Sequence, residues 1–187
     1  ELRPAHARLQ LALRALPARK GVCYRACRLS SSSGTVRELL RGNRHGLDCY
    51  RPGSVVLWRH AASATQDPAL AEELALRGQP ASGCGVVFKV RRAASARSLA
   101  EVAECPEHGE IVFPPGAAFR VAGLFPCTES CLRRGALEGD AWAAEVGAAA
   151  QAGEALSWEA ACRARNILVV LDEEEAAAAF QRAESAL

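Results

Sequence analysis

Two apolar runs joined by a stiff turn constrain this chain most. Ile111-Val112-Phe113 is followed by Pro114-Pro115-Gly116, and then by Ala117 to Val121. Consecutive prolines continue neither a helix nor an inner sheet ladder, and the glycine admits the turn, so the segment reads as strand, turn, strand. A carboxylate, Glu110, stands directly before the first of these strands. Lone carboxylates at strand ends are mostly solvated. The same position also lets a fold aim a charge into a cleft.

Similar punctuation recurs along the chain. Residues 5–16, AHARLQLALRAL, set Leu9, Leu11, Leu13 and Leu16 among Arg, Gln and Ala, a helix closed by Pro17. Gly21 to Ala26 is a short strand, and Ser30 to Gly34 a break or cap before a short helical piece, Val36 to Leu40. Pro52-Gly53 turns into a strand at Ser54 to Trp58, and Asp67-Pro68 opens a helix, Ala69 to Leu76. Val86 to Val90 and Ile167 to Leu171 read as strands, and Ser98 to Ala103 as a short strand or a helical turn.

Residues 124–163 are rich in Ala, Gly and Glu, with Trp142 and Trp158 as anchors, and are expected to form a helical insertion. Asp172 to Ala186 is Ala-rich with acidic residues first, as a helix dipole favours, and is expected to be helical. One helix, then many short strands with few crossover helices, is the order of an α+β domain rather than a doubly wound α/β fold.

The chain has 187 residues, 50% of them hydrophobic, which suits a single domain spanning 1–187. A net charge of +2 without basic blocks gives no footprint for nucleic acid or a charged membrane. No apolar run approaches the roughly 20 residues a bilayer span needs. The N-terminus shows no signal-peptide pattern, and a chain that starts at Glu1 and contains no Met is expected to be processed or excised from something longer. The eight cysteines permit disulfides without requiring them, and leave an extracellular or a cytoplasmic setting open. Cys127, Cys131 and Cys162 could supply three zinc ligands, but the spacing is loose and no His lies nearby, so no metal is expected.

Three spots join a polar group to strand-like surroundings. In Cys23-Tyr24-Arg25-Ala26 the arginine needs a partner if buried. Its planar fork suits a phosphate, or a salt bridge at the edge of the core. In Gly53 to Thr65, GSVVLWRHAASAT, a strand runs into small residues with hydroxyls at Ser63 and Thr65. These could hold a carboxylate or a ligand, or simply cap the next helix from Thr65 or Asp67. The third spot is Glu110. His45 and His60 read as loop or surface residues, and Trp58 as core.

Taken in order, CYRAC, GSVVLWRHAASAT and EHGEIVFPPGAAFRV resemble the Arg–Ser–Glu signature of the arginine-type mono-ADP-ribosyltransferases, a family of vertebrate ecto-enzymes and bacterial toxins. LALRALP and GVVFKV resemble family segments as well, so the likeness runs from about residue 9 to 121. The resemblance implies an α+β fold with two small packed β-sheets around an NAD cleft and flanking helices. It implies transfer of ADP-ribose from NAD, as substrate, to a side chain of a protein acceptor, with release of nicotinamide. Arg25, with Tyr24, would grip NAD, and Thr65 would lie near the nicotinamide. Ser63 would hydrogen-bond and orient Glu110, and Glu110 would stabilise the ribosyl cation.

This sequence departs from the family pattern at several places. His108 stands where the family carries a first Glu that activates the acceptor, and could serve as a base near neutral pH. Ala26 replaces the usual Gly, and Ala61 and Ala64 replace an aromatic and a Thr. Two alternatives follow: an NAD glycohydrolase using the same cleft, and a non-catalytic binding module.

Overall fold

The computed structural model describes residues 2–29, 40, 50–76, 84–127, 155–164 and 166–174. The elements run α1 (Leu2–Ala15), β1 (Gly21–Leu29), β2 (Val55–Trp58), β3 (Ala62–Thr65), α2 (Pro68–Leu76), β4 (Cys84–Ala93), β5 (Arg97–Ser98), β6 (Glu110–Phe113), β7 (Ala117–Pro126), α3 (Trp158–Arg163) and β8 (Asn166–Glu174). A 3-10 turn, Pro106–His108, precedes β6. This is the α+β class expected.

The strands form one hydrogen-bonded ladder in the order β2-β7-β8-β4-β1-β3-β6-β5. Among the described strands only β4 and β8 run parallel; the other pairs are antiparallel. β1 and β3 meet at a single register pair, Tyr24 with Thr65. The ladder therefore has a five-stranded and a three-stranded part, hinged at that pair.

The two parts pack on each other through aromatic rings. Trp58 of β2 and Phe113 of β6 have ring centroids 5.3 Å apart and nearly perpendicular planes, and Phe113 meets Phe119 of β7 at the same separation. Phe113 and Phe119 are wholly buried, so truncating either to Ala would cost about 3–5 kcal/mol. The Pro114-Pro115-Gly116 turn makes this packing possible by passing the chain from β6, next to one edge of the ladder, to β7, next to the other.

β8 lies centrally, and Ile167 to Leu171 are buried on both faces, which explains their unbroken apolar run. Val86, Phe88 and Val90 of β4 face the aromatic cluster. Val87 of β4, with Leu168 and Val170 of β8, faces a second core covered by α2, whose Ala71 and Ala75 lie one turn apart and let the helix approach closely. Asp67 caps α2, its Oδ1 accepting the Ala69 N–H at 2.8 Å.

Several expectations need correction. Asp172 to Glu174 extend β8 instead of opening a helix. Their carboxylates are taken by neighbours: Asp172 pairs with Arg91, Glu174 with Arg120, and Glu173 accepts the backbone N–H groups of Ala94 and Ser95. These sheet partners outweigh the helix propensity of the acidic run. Leu124 to Pro126, assigned by sequence to an insertion, are the end of β7. Most of the remaining insertion, 128–154, lies outside the described residues, as do 30–39 and 175–187. Ala62 to Thr65 forms a strand despite its small residues, because β6 supplies a full set of ladder partners.

Candidate active site

The register of three strands builds the site. Thr65 stands opposite Tyr24 on one side and opposite Glu110 on the other. Residues paired across a ladder share a face, so Tyr24, Thr65 and Glu110 form a row across β1, β3 and β6. Ser63, two residues before Thr65, lies on the same face, diagonal to Glu110. A hollow of about 250 Å³ is lined by Tyr24, Ser63, Thr65, His108 and Glu110, with Leu70 and Leu74 of α2 as its apolar wall. Five of the six residues singled out from sequence thus meet in one place.

Local structure sets the carboxylate. Pro106 opens the 3-10 turn, and the Gly109 N–H closes it on the Pro106 carbonyl at 3.2 Å. Gly109 has φ 55°, a left-handed conformation that costs an L side chain energy, and it reverses the chain into β6. The Gly109 carbonyl then accepts the Gln66 N–H at 3.2 Å, and the Glu110 carbonyl accepts the Leu99 N–H at 3.0 Å. Backbone bonds on both flanks fix where Glu110 begins its strand. Glu110 is half-buried, and its carboxylate makes no hydrogen bond or ion pair to any described residue.

Thr65 is buried, and its hydroxyl is occupied by the backbone. It donates to the His108 carbonyl at 2.5 Å and accepts the Asp67 N–H at 3.0 Å. It therefore anchors the turn that carries His108 and Glu110. Ser63 is exposed, and no hydrogen bond joins its hydroxyl to Glu110 in this structure. His108 is exposed at the mouth of the hollow.

Arg25 is not brought into the hollow. It points to the opposite face of β1, shared with Cys23 and Cys27, and its guanidinium carbon lies 5.6 Å from the Trp58 ring centroid. Its Nη1 donates to the Ser63 carbonyl at 2.7 Å, beyond the single β1–β3 pair, where the two strands separate. Arg25 thus braces β3 from behind. Burial raises the Cys27 thiol above its usual pKa, although the positive charge and hydrogen bond of Arg25 oppose the shift.

Sequence reasoning missed the wall from α2 and the role of Gly109. A single Gly between a turn and a charged strand start is the only trace Gly109 leaves in the sequence. A larger hollow, about 540 Å³, lies between α1, the Pro114–Gly116 turn and the end of β8, and contains none of the predicted residues. Its carboxylates, Glu173 and Glu174, are already engaged as described above. Of the cysteines considered for zinc, Cys127 is buried, Cys162 is half-buried, and Cys131 lies outside the described residues.

No protein-family model and no curated protein matches this chain. Among solved structures the chain is similar to Vis, an ADP-ribosyltransferase toxin from Vibrio splendidus, at 17% identity and a TM-score of 0.52. Two complexes of Vis, with the inhibitor M6 and with agmatine, superpose with TM-scores of 0.56 and 0.55, again at 17% identity. In these two comparisons 95% of this chain is covered, against 59% and 60% of the Vis chains, so it spans about three-fifths of their length. The chain has the fold of an ADP-ribosyltransferase.

Proposed function

We propose that this chain is a mono-ADP-ribosyltransferase that cleaves the nicotinamide–ribose bond of NAD at the hollow and passes ADP-ribose to a protein side chain. The observation that carries the reading is the row Tyr24–Thr65–Glu110. It presents a half-buried carboxylate without a partner among the described residues, beside Ser63 and His108. A volume of about 250 Å³ suits the nicotinamide ribose end of the dinucleotide rather than the whole molecule, since whole-ligand pockets run to roughly 300–1,000 Å³.

Loss of nicotinamide passes through an oxocarbenium-like state, as in glycoside cleavage. A carboxylate held beside the ribose gains attraction only as positive charge develops, so it lowers the barrier rather than tightening ground-state binding. A group so placed is worth roughly 3–4 kcal/mol by analogy with an oxyanion-hole donor. In this reading Glu110 stabilises the cation and Ser63 bonds the ribose or the carboxylate once substrate is seated. Thr65 is a positioning residue, and Tyr24 forms the floor. Arg25 acts by holding the Ser63 strand from the opposite face.

The acceptor is approached from the His108 side, where an exposed imidazole can take its proton. The agmatine held by Vis carries a guanidinium, the group of an arginine side chain, which makes arginine the first acceptor to test. The imidazole in place of a carboxylate favours one other reading, an NAD glycohydrolase in which water takes the cation. Incubation with NAD labelled in the adenylate moiety and a mixed protein extract separates these outcomes. Labelled protein supports the transferase, and free ADP-ribose alone supports the hydrolase. Neither product, with NAD recovered intact, overturns both in favour of a binding module.

A further inference from the structure

At the lip of the hollow three different ligand types converge. Cys105, Glu107 and His108 are all exposed, and their Sγ, carboxylate oxygen and imidazole nitrogen lie within 4.8 Å of one another. The backbone explains the convergence. In a 3-10 turn residues three apart are eclipsed, which sets Cys105 and His108 on one side. The His108 N–H bonds the Cys105 carbonyl at 3.1 Å and fixes their spacing. Cys105 occupies the cap position of this turn without using its side chain as a cap, so the thiol is free.

We propose that Cys105, Glu107 and His108 form a binding site for a divalent transition metal of zinc type. Zinc bonds of about 2.0–2.3 Å place tetrahedral ligand atoms roughly 3.3–3.8 Å apart, which small side-chain rotations reach from the spacing seen here. A thiolate with an imidazole and a carboxylate selects zinc or cobalt over calcium or magnesium, which prefer oxygen alone. On binding, the Cys105 thiol releases its proton to solvent and the sulfur lone pair bonds the metal. Three protein ligands leave the fourth position to water. Spacing alone did not suggest this cluster, because Cys-Pro-Glu-His becomes a ligand set only when the turn wraps it.

The site has a consequence for turnover that rests on the proposed function. His108 also lines the hollow, and Glu110 follows two residues later. A dication there occupies the imidazole and opposes the growth of positive charge on the ribose, so metal binding acts as a brake.

Cobalt titration of the reduced, metal-free chain tests binding independently of activity. One equivalent of Co²⁺ is expected to give a thiolate-to-cobalt charge-transfer band. Cys105→Ser abolishes that band, and His108→Asn weakens binding by more than the roughly 10–100-fold that loss of an outer-shell partner costs. Because all three side chains are exposed, the variants retain the parent circular dichroism spectrum. Absence of the band in the parent, or an undiminished band in Cys105→Ser, overturns the proposal. In a second arm, Zn²⁺ slows nicotinamide release by the parent but not by Cys105→Ser. If the parent releases no nicotinamide at all, the proposed function fails while the cobalt result still decides the metal site.

Discussion

Thr65 lies directly opposite Glu110 in the β3–β6 ladder, and its hydroxyl donates to the carbonyl of His108, two residues before that carboxylate. One buried side chain thus links the strand that carries Ser63 to the turn that delivers Glu110. A ladder fixes strand spacing, and the added hydroxyl bond fixes where the neighbouring turn ends.

Replacing Glu110 by Gln keeps size and hydrogen bonding but removes the charge. Nicotinamide release is expected to fall by about 10²–10³, with NAD affinity nearly unchanged, because the lost attraction exists mainly in the transition state. Steady-state release of nicotinamide and equilibrium NAD binding check the two halves separately. Unchanged turnover removes Glu110 from the mechanism.

Thr65→Val is nearly isosteric and leaves the His108 carbonyl and the Asp67 N–H without their partner. Stability is expected to drop by about 1–3 kcal/mol, the cost of unsatisfied buried polar groups, while Thr65→Ser retains most of it. Urea unfolding midpoints of the two variants give the comparison. A Val variant as stable as the parent shows that the hydroxyl does not hold the turn.

Gly109→Ala meets no steric obstacle: the nearest atom to an added methyl is the Gln66 Cβ at 3.6 Å, an ordinary contact. Its cost is conformational, about 1–2 kcal/mol for a left-handed residue with a Cβ. If the chain relieves that strain, Glu110 shifts, so kcat is expected to fall more than NAD affinity. Denaturation and kinetics on the same preparation test both effects.

Arg25→Lys retains the charge but loses the planar group that lies over Trp58 while bonding the Ser63 carbonyl. A destabilisation of about 1 kcal/mol is expected, as for one hydrogen bond at a half-exposed site. A large rise in the Kd for NAD without loss of stability contradicts the bracing role and points to direct phosphate contact.

Tyr24 makes stability depend on alkaline pH. Burial, and secondarily the neighbouring Cys23 thiol, push its phenol up to about 12 from 10.0. Lys89 of β4 faces the ring, with Nζ 6.0 Å from its centroid, and Glu110 lies across Thr65 in the same row. Above about pH 10 the unfolded chain loses the phenol proton while the folded chain keeps it, so stability falls through the window up to about 12. The total is roughly 2–3 kcal/mol. Cys23, also raised by burial and then by the charge of Glu173, adds a loss of the same sign beginning near its usual pKa of 9.0. Tyr24→Phe is expected to flatten the upper part of the profile, as read from urea midpoints between pH 8 and 12.

The amino-acid sequence by itself determined the strand, turn, strand at 111–121 and the buried strand at 167–171, while Tyr24, Ser63, Thr65, His108 and Glu110 are grouped, together with Arg25, by their resemblance to a family signature. Alternation along a strand and turn chemistry are local, and they carry the two strand assignments. Tertiary structure alone decided that Arg25 faces Trp58 instead of the hollow and that the Thr65 hydroxyl is spent on the His108 carbonyl. It also decided that Asp172 to Glu174 remain in strand. Each of these depends on which strands become neighbours and in what register. Contacts between residues distant in the chain set that register, and no local propensity encodes it.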